Sequence, residues 1–273
     1  MTVRLTIDGV EVEAEPGTTI RDAAAAAAVD IPTLCWAANL TPVNACRLCV
    51  VEVEGSRALV PACSRPVEPA MVVTTDSERV RHSRRLVLEL LASSVELDRS
   101  DPEFLARFDE YGARPDRFGE GSTKQQPPKQ HDELYVRDYQ RCVLCYKCVE
   151  ACGDDAQHTF AIAVAGRGFD ARISTEFDTQ LPDSACVYCG NCIAVCPTGA
   201  LTPLSEFALR ERDEWEPERQ TTTQTVCAFC GVGCNLELHV QDGEVVKVTS
   251  PADHDITLGN LCIKGRFGWQ HLQ

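Results

Sequence analysis

Aromatic side chains make up only 6% of this 273-residue chain, although its overall hydrophobic content, 44%, is ordinary for a globular protein. Small lobes built with so few large side chains bury little apolar surface and usually need metals or crosslinks. No apolar run reaches the length of a membrane-spanning helix, so no membrane span is expected. Basic residues are outnumbered, 26 Lys and Arg against 41 Asp and Glu, for a net charge of −15. Such a surface repels nucleic acid, which binds Lys and Arg. The acidity reads equally well as a solubility device or as steering of a partner. Met1–Ile7 already alternates like a strand, with no apolar leader or twin arginine before it, so the expected setting is the cytosol. The 6 histidines are scattered without ligand spacing. No G-x-G-x-x-G follows a strand, which leaves nicotinamide and flavin to other subunits. No catalytic acid, base or nucleophile stands out.

Cysteine is what the chain has in excess. The 16 cysteines fall into four groups of four with none left over. In a reducing compartment a cysteine-rich chain reads as metal-binding rather than disulfide-linked. Cys35, Cys46, Cys49 and Cys63 form C-x10-C-x2-C-x13-C. Cys142, Cys145, Cys148 and Cys152 form C-x2-C-x2-C-x3-C, and Cys186, Cys189, Cys192 and Cys196 repeat it, ending in Cys196-Pro197. Cys227, Cys230, Cys234 and Cys262 form C-x2-C-x3-C-x27-C, the last inside Cys262-Ile263-Lys264-Gly265. Soft thiolates suit iron and zinc alike. A closely spaced central pair grips metal from one loop while the flanking cysteines close the site.

The surrounding patterns predict an α+β fold. Val3–Ile7 and Val10–Ala14 read as a hairpin around Asp8-Gly9. Thr19 caps a short helix over Ala23–Ala28. Val50–Val53, Leu59–Pro61 and Met71–Thr74 read as strands. Thr75-x-x-Glu78 matches a capping box ahead of a helix to about Leu97, with Val80, Val87, Leu91 and Val95 as its apolar face. Residues 98–133 show little periodicity and predict a poorly structured linker, with Gly119–Gln130 rich in Gln, Gly and Pro. Residues 205–224 read as a charged helix and then a polar tether from Arg219. Leu236–Gln241 and Glu244–Thr249 read as a final hairpin around Asp242-Gly243. The expected domains are 1–80, a helix and linker over 81–133, 134–204, a helix and tether over 205–224, and an incomplete unit over 225–273.

Three stretches carry resemblances. "IPTLCWAANLTPVNACRLCVVEVEG" with "LVPACSRPVEPAMVV" resembles the [2Fe–2S] domain of complex-I-type and hydrogenase-type electron-transfer subunits. The resemblance implies a β-grasp ferredoxin domain holding one [2Fe–2S] cluster on Cys35, Cys46, Cys49 and Cys63. Trp36 and Arg47 would shield it. Those relatives carry a His-Cys₃ cluster site after this domain. Here the segment reads Leu91-Ala92-Ser93-Ser94-Val95-Glu96-Leu97, and no cysteine lies between Cys63 and Cys142, so that cluster is expected to be absent.

The paired C-x2-C-x2-C-x3-C runs resemble the bacterial two-cluster ferredoxin. There the first three cysteines of each run hold one [4Fe–4S] cluster and the fourth crosses to the other. The resemblance implies one cluster on Cys142, Cys145, Cys148 and Cys196, and another on Cys186, Cys189, Cys192 and Cys152. Tyr146, Tyr188 and Ile193 would exclude water. "VCAFCGVGCNLELHVQDGEVVKVTS" with "GNLCIKGRFG" resembles the opening [4Fe–4S] segment of molybdenum/tungsten bis-pterin oxidoreductases. That implies a small β-rich domain with a [4Fe–4S] cluster on Cys227, Cys230, Cys234 and Cys262.

The whole arrangement resembles the N-terminal third of a cytosolic formate dehydrogenase α subunit. It implies an electron-transfer region working with a Mo/W-pterin catalytic subunit, with Lys264 on the electron path to the pterin. Phe267 and Trp269 would lie at an open end able to meet that partner. NADH/flavin diaphorase subunits are a further possible partner. Two other readings stand beside this one: the iron–sulfur subunit of an NAD-reducing hydrogenase or complex-I-like diaphorase, and a free polyferredoxin. A structural zinc protein is the remaining alternative.

Overall fold

The computed structural model describes residues 2–119 and 127–272, so the 120–126 part of the Gln-, Gly- and Pro-rich segment lies outside the described residues. The chain divides into two compact units, one of residues 1–36 and 42–123, the other of residues 37–41 and 124–273.

The first unit begins with strands β1 (Val3–Ile7) and β2 (Val10–Ala14). Asp8 and Gly9 both take positive φ, which gives the tight turn a twist matching that of the strands. Helix α1 (Ile20–Ala26) follows, its first turn capped by Thr19 Oγ1, which accepts from the Asp22 N–H. Ile20, Ala23 and Ala24 form its buried face. Strands β3 (Val50–Val53), β4 (Val60–Pro61) and β5 (Val72–Thr74) complete a sheet ordered β2-β1-β5-β3-β4. β5 runs parallel to β1 and antiparallel to β3. Leu5, Ile7, Val51 and Val73 on the sheet meet Ile20 and Ala24 on α1. Burying each large aliphatic side chain is worth about 1.5–3 kcal/mol.

Helix α2 spans Glu78–Ala92 and departs from expectation in three ways. Its cap is Ser77, whose Oγ accepts from the Val80 N–H. Thr75 is occupied elsewhere: its N–H and hydroxyl both donate to the Asp8 carboxylate. The helix ends at Ala92 rather than Leu97, and Ser93 and Ser94 turn their hydroxyls back onto the Leu90 carbonyl, a local competition that disfavours further helix. Its buried stripe is Val80, Arg84 and Leu88, not Val80, Val87 and Leu91.

The reading of residues 98–133 as a linker is also corrected in part. Pro102–Tyr111 form helix α3, with Pro102 in the first turn and Gly112 in the left-handed closing position. Phe104, Phe108 and Tyr111 are buried. Three aromatics in ten residues at i, i+4 and i+7 are the helical signal that charged neighbours mask.

In the second unit, β6 (Tyr135–Arg137) pairs antiparallel with β9 (Leu201–Pro203). Between them lie helix α4 (Lys147–Cys152), the small hairpin of β7 (Ala163–Ala165) and β8 (Arg172–Ser174), and helix α5 (Asn191–Ala194). Helix α6 (Leu204–Glu211) leads to a three-stranded antiparallel sheet of β10 (Thr221–Val226), β11 (Asn235–Gln241) and β12 (Glu244–Thr249). The polar tether is therefore largely an edge strand. β10 exposes every residue yet pairs with β11 along its length. Five of its six residues are Thr or Val, β-branched types that favour extended backbone.

α6 is fixed to β12 by polar contacts. Ser205 donates to the Val246 carbonyl, and buried Glu206 accepts from Arg210 at 2.8 Å and from Lys247 at 3.0 Å. Helix α7 (Ile263–Phe267) closes the unit.

Candidate iron–sulfur sites

The first group of cysteines sits on the loops between α1 and β5. Cys35, Cys49 and Cys63 are buried, and Cys46 is half-buried. The four sulfurs meet. The Cys46 N–H reaches Cys35 Sγ at 3.4 Å and the Leu48 N–H reaches Cys46 Sγ at 3.5 Å. Sulfur–sulfur hydrogen bonds from Cys46 and Cys63 pull the Cys35 thiol down to about 2, and the same bonds push Cys46 and Cys63 up. The bond from Cys63 holds Cys49 at about 7. Four crowded sulfurs do not all ionise unaided; a metal's positive charge is what permits it. Arg21 stacks on Trp36 at 3.4 Å from the ring centre, while Arg47 is exposed and bonds Asn44.

The two repeated runs occupy matching cradles. One pocket of about 350 Å³ is lined by Cys142, Cys145, Cys148 and Cys196. A second, of about 410 Å³, is lined by Cys152, Cys186, Cys189 and Cys192. The fourth cysteine of each run thus faces the other run's pocket. The repeat extends to the backbone: Leu144 and Tyr188 have φ of 53° and 55°, and Tyr146 and Gly190 have φ of 63° and 71°. Reversing the chain after Cys145 and after Cys189 turns the Lys147 and Asn191 N–H groups onto those two sulfurs. Arg47, with φ of 60°, does the same between Cys46 and Leu48. Such turned-in amides form concave sites that favour negative charge.

Apolar side chains close the cradles. Ile173, Leu181, Ile193 and Leu201 are buried around the sulfurs, and Tyr146 and Tyr188 are half-buried beside them. The Tyr135 hydroxyl lies 3.5 Å from Cys186 Sγ. Burial pushes the Cys145 thiol up to about 12 and Cys148 well above its ordinary range. Among the described residues, no three His, Cys, Asp or Glu side chains are grouped as a single-ion site; the sulfurs rim volumes instead of meeting at one point.

The fourth group is more open. Cys227 is buried and its N–H bonds the Cys234 carbonyl, but Cys230 and Cys262 are exposed. Cys227, Cys230 and Cys262 all act on the Cys234 thiol, which burial and their charges push up. Lys264 is exposed in α7, two residues after Cys262. The expectation of an open aromatic end is overturned. Phe267 and Trp269 are buried, Phe267 stacked on Tyr135 and Trp269 Nε1 donating to the Arg266 carbonyl at 3.1 Å.

Sequence reasoning missed two buried cations beside these loops. Arg84 is 1% exposed and donates to the Leu48 and Val50 carbonyls and to the Tyr111 hydroxyl. Arg266 is 3% exposed against the Cys189 loop. Nothing in composition marks either as different from a surface charge.

Comparison with known proteins follows the same division. Residues 1–78 match a "2Fe-2S iron-sulfur cluster binding domain", residues 133–202 the "NADH-quinone oxidoreductase subunit 3, ferredoxin-like domain", and residues 220–273 the "Molybdopterin oxidoreductase Fe4S4 domain". A chain in the crystal structure of an NAD⁺-reducing [NiFe]-hydrogenase in the H₂-reduced state superposes with a TM-score of 0.67 at 30% identity, over 74% of this chain and 87% of that one. This chain belongs to the iron–sulfur N-terminal regions of the formate dehydrogenase and NADH-quinone oxidoreductase family.

Relatives of this iron–sulfur region differ in what their names say they do. The NADPH-Fe(3+) oxidoreductase subunit alpha of Geobacter sulfurreducens is 38% identical over 99% of this chain and 31% of its own length. A putative formate dehydrogenase of Staphylococcus haemolyticus is 28% identical over 98% of this chain and 31% of its own. The iron–sulfur region spans about a third of the length of the curated relatives it matches. The donor set fits the clusters these family models describe: free thiols around pockets, with inward amides to offset their charge.

Proposed function

We propose that this chain is the electron-transfer region of a formate dehydrogenase-like oxidoreductase complex. It would hold one [2Fe–2S] cluster on Cys35, Cys46, Cys49 and Cys63, and three [4Fe–4S] clusters. The first of these takes Cys142, Cys145, Cys148 and Cys196. The second takes Cys186, Cys189, Cys192 and Cys152, and the third Cys227, Cys230, Cys234 and Cys262. The crossed pocket linings support this partition, and the parallel β1–β5 pairing over α1 supports a β-grasp layout for residues 1–80. The ferredoxin-like domain is assigned to 134–204 and the pterin-type domain to 225–273.

When bound, such clusters supply one-electron redox chemistry, and the protein contributes spacing, shielding and hydrogen bonds to sulfur. Cys46, Leu48, Lys147, Tyr188 and Asn191 donate those bonds through their amides. Ile193 and Leu201 exclude water.

The observation that carries the reading is the contrast between cradles. The first three are largely enclosed, whereas the fourth opens to the surface at Cys230 and Cys262. Val226, Phe229, Val232 and Ile263 are exposed beside these cysteines in sequence. Exposed apolar side chains grouped at a redox site suit a covering surface, here a Mo/W-pterin unit, with Lys264 reaching toward its anionic cofactor. The 38% identity to an NADPH-Fe(3+) oxidoreductase subunit favours a second reading, in which nicotinamide-linked partners supply the electrons.

One experiment on the anaerobically purified complex separates these. Iron analysis of the region is expected to give about 14 Fe per chain. Formate is expected to bleach the visible absorption. Bleaching by NADPH but not by formate overturns the formate reading in favour of the second. Iron saturating near half the expected content, with zinc making up the rest, overturns the cluster assignment.

A further inference from the structure

Arg266 is 3% exposed, and a guanidinium that deep is rarely tolerated without a countercharge. Its printed partners are all neutral. Nε donates to the Cys189 carbonyl at 3.2 Å, Nη1 to the Val248 carbonyl at 3.4 Å, and Nη2 to Asn191 Oδ1 at 3.3 Å and to the Gly259 carbonyl at 3.4 Å. The charged groups that act on it are the sulfurs of Cys189 and Cys192. The loop is shaped to receive it: a Cβ on Gly190 would lie 2.4 Å from Arg266 Cδ and 3.1 Å from Phe267 Cζ.

We propose that Arg266 is the buried countercharge of the cluster held by Cys152, Cys186, Cys189 and Cys192, and that it sets that cluster's potential from within the neighbouring pterin-type domain. This rests on the cluster assignment above. Taking up one electron makes the cluster more negative by one charge. A fixed cation in a low-dielectric site favours that reduced form and raises the potential. Asn191 Oδ1 also accepts from the Leu261 N–H at 2.9 Å, so the residues preceding Cys192 and Cys262 are joined through one side chain. Arg266 is a positioning and electrostatic residue; it replaces none of the sulfur ligands.

The test is a redox titration of the iron-loaded full chain, followed by electron paramagnetic resonance. Arg266→Gln keeps polarity and removes charge. It is expected to move one four-iron signal to more negative potential and leave the others in place. The signal that moves is expected to be the one lost in Cys189→Ser. Arg266→Lys keeps the charge and is expected to restore most of the potential. Asn191→Asp preserves shape and sets a carboxylate against Arg266; it is expected to lower the same potential. This variant decides the matter if Arg266→Gln fails to hold its iron. Unmoved potentials in loaded Arg266→Gln, or in Asn191→Asp when the former does not load, overturn the proposal, as does Arg266→Lys falling as far as Arg266→Gln. Wild-type chain that never loads iron overturns the underlying cluster assignment, which is a separate failure.

Discussion

Left-handed backbone at non-glycine residues carries the local chemistry of the sulfur loops. Leu144, Tyr146, Tyr188 and Arg47 each accept a conformation that costs an L-residue roughly 1–2 kcal/mol. The return is an amide aimed at sulfur and a large side chain left over the cradle. Glu206 poses a different problem, a carboxylate kept ionised while 7% exposed. Burial alone would raise its pKa, but the charge of Lys247 and the hydrogen bond and charge of Arg210 outweigh burial and hold it below the usual range. A depressed carboxylate contributes stability that is fully present above its unfolded pKa, ~4.3, and is lost as pH falls through the folded value. Glu206→Gln is therefore expected to destabilise the second unit by about 1–3 kcal/mol at pH 7. The gap should shrink below about pH 4, read as the difference between wild-type and variant urea midpoints. A gap that stays constant to lower pH contradicts the ionised assignment.

Helix α3 shows what an element adds beyond its own propensity. It presents Phe104, Phe108 and Tyr111 to the first unit, and Tyr111 also accepts the Arg84 guanidinium at 2.9 Å. Arg84 in turn holds the carbonyls of Leu48 and Val50, on either side of Cys49. A helix read as linker is thus coupled to the first cysteine loop through one buried side chain. Phe104→Ala is expected to cost about 3–5 kcal/mol. Loss of the [2Fe–2S] signal should accompany it, measured by visible circular dichroism during denaturant titration. Loss of stability by less than about 1 kcal/mol would show that α3 is not part of this core.

Crossed ligation is a property of the whole second unit. Cys196 and Cys152 each line the pocket of the opposite run, so neither cradle is complete without the distant half of the sequence. Cys196→Ser is expected to remove about 4 of about 14 Fe. The signal lost should be that of the Cys142–Cys145–Cys148 cluster, and the Cys186–Cys189–Cys192 signal should persist. Loss of the latter instead would reverse the partition. The pterin-type segment joins the same unit: Phe267 stacks on Tyr135, and Arg266 lies against Cys189. What reads as a separate terminal domain is packed into the ferredoxin-like core.

Spacing alone sorted the cysteines into four sets, because a ligand loop must return its sulfurs at short, fixed intervals. Alternation and turn residues fixed the hairpins at Asp8-Gly9 and Asp242-Gly243 for an equally local reason. Tertiary structure decided the rest. It moved the α2 cap from Thr75 to Ser77 by giving Asp8 a claim on Thr75, turned the polar stretch after Arg219 into an edge strand by offering β11 as a partner, and buried Phe267 and Trp269. It also placed Arg84 and Arg266 beside the sulfur loops. Burial and charge pairing depend on contacts between residues far apart in the chain, and local sequence carries no record of them.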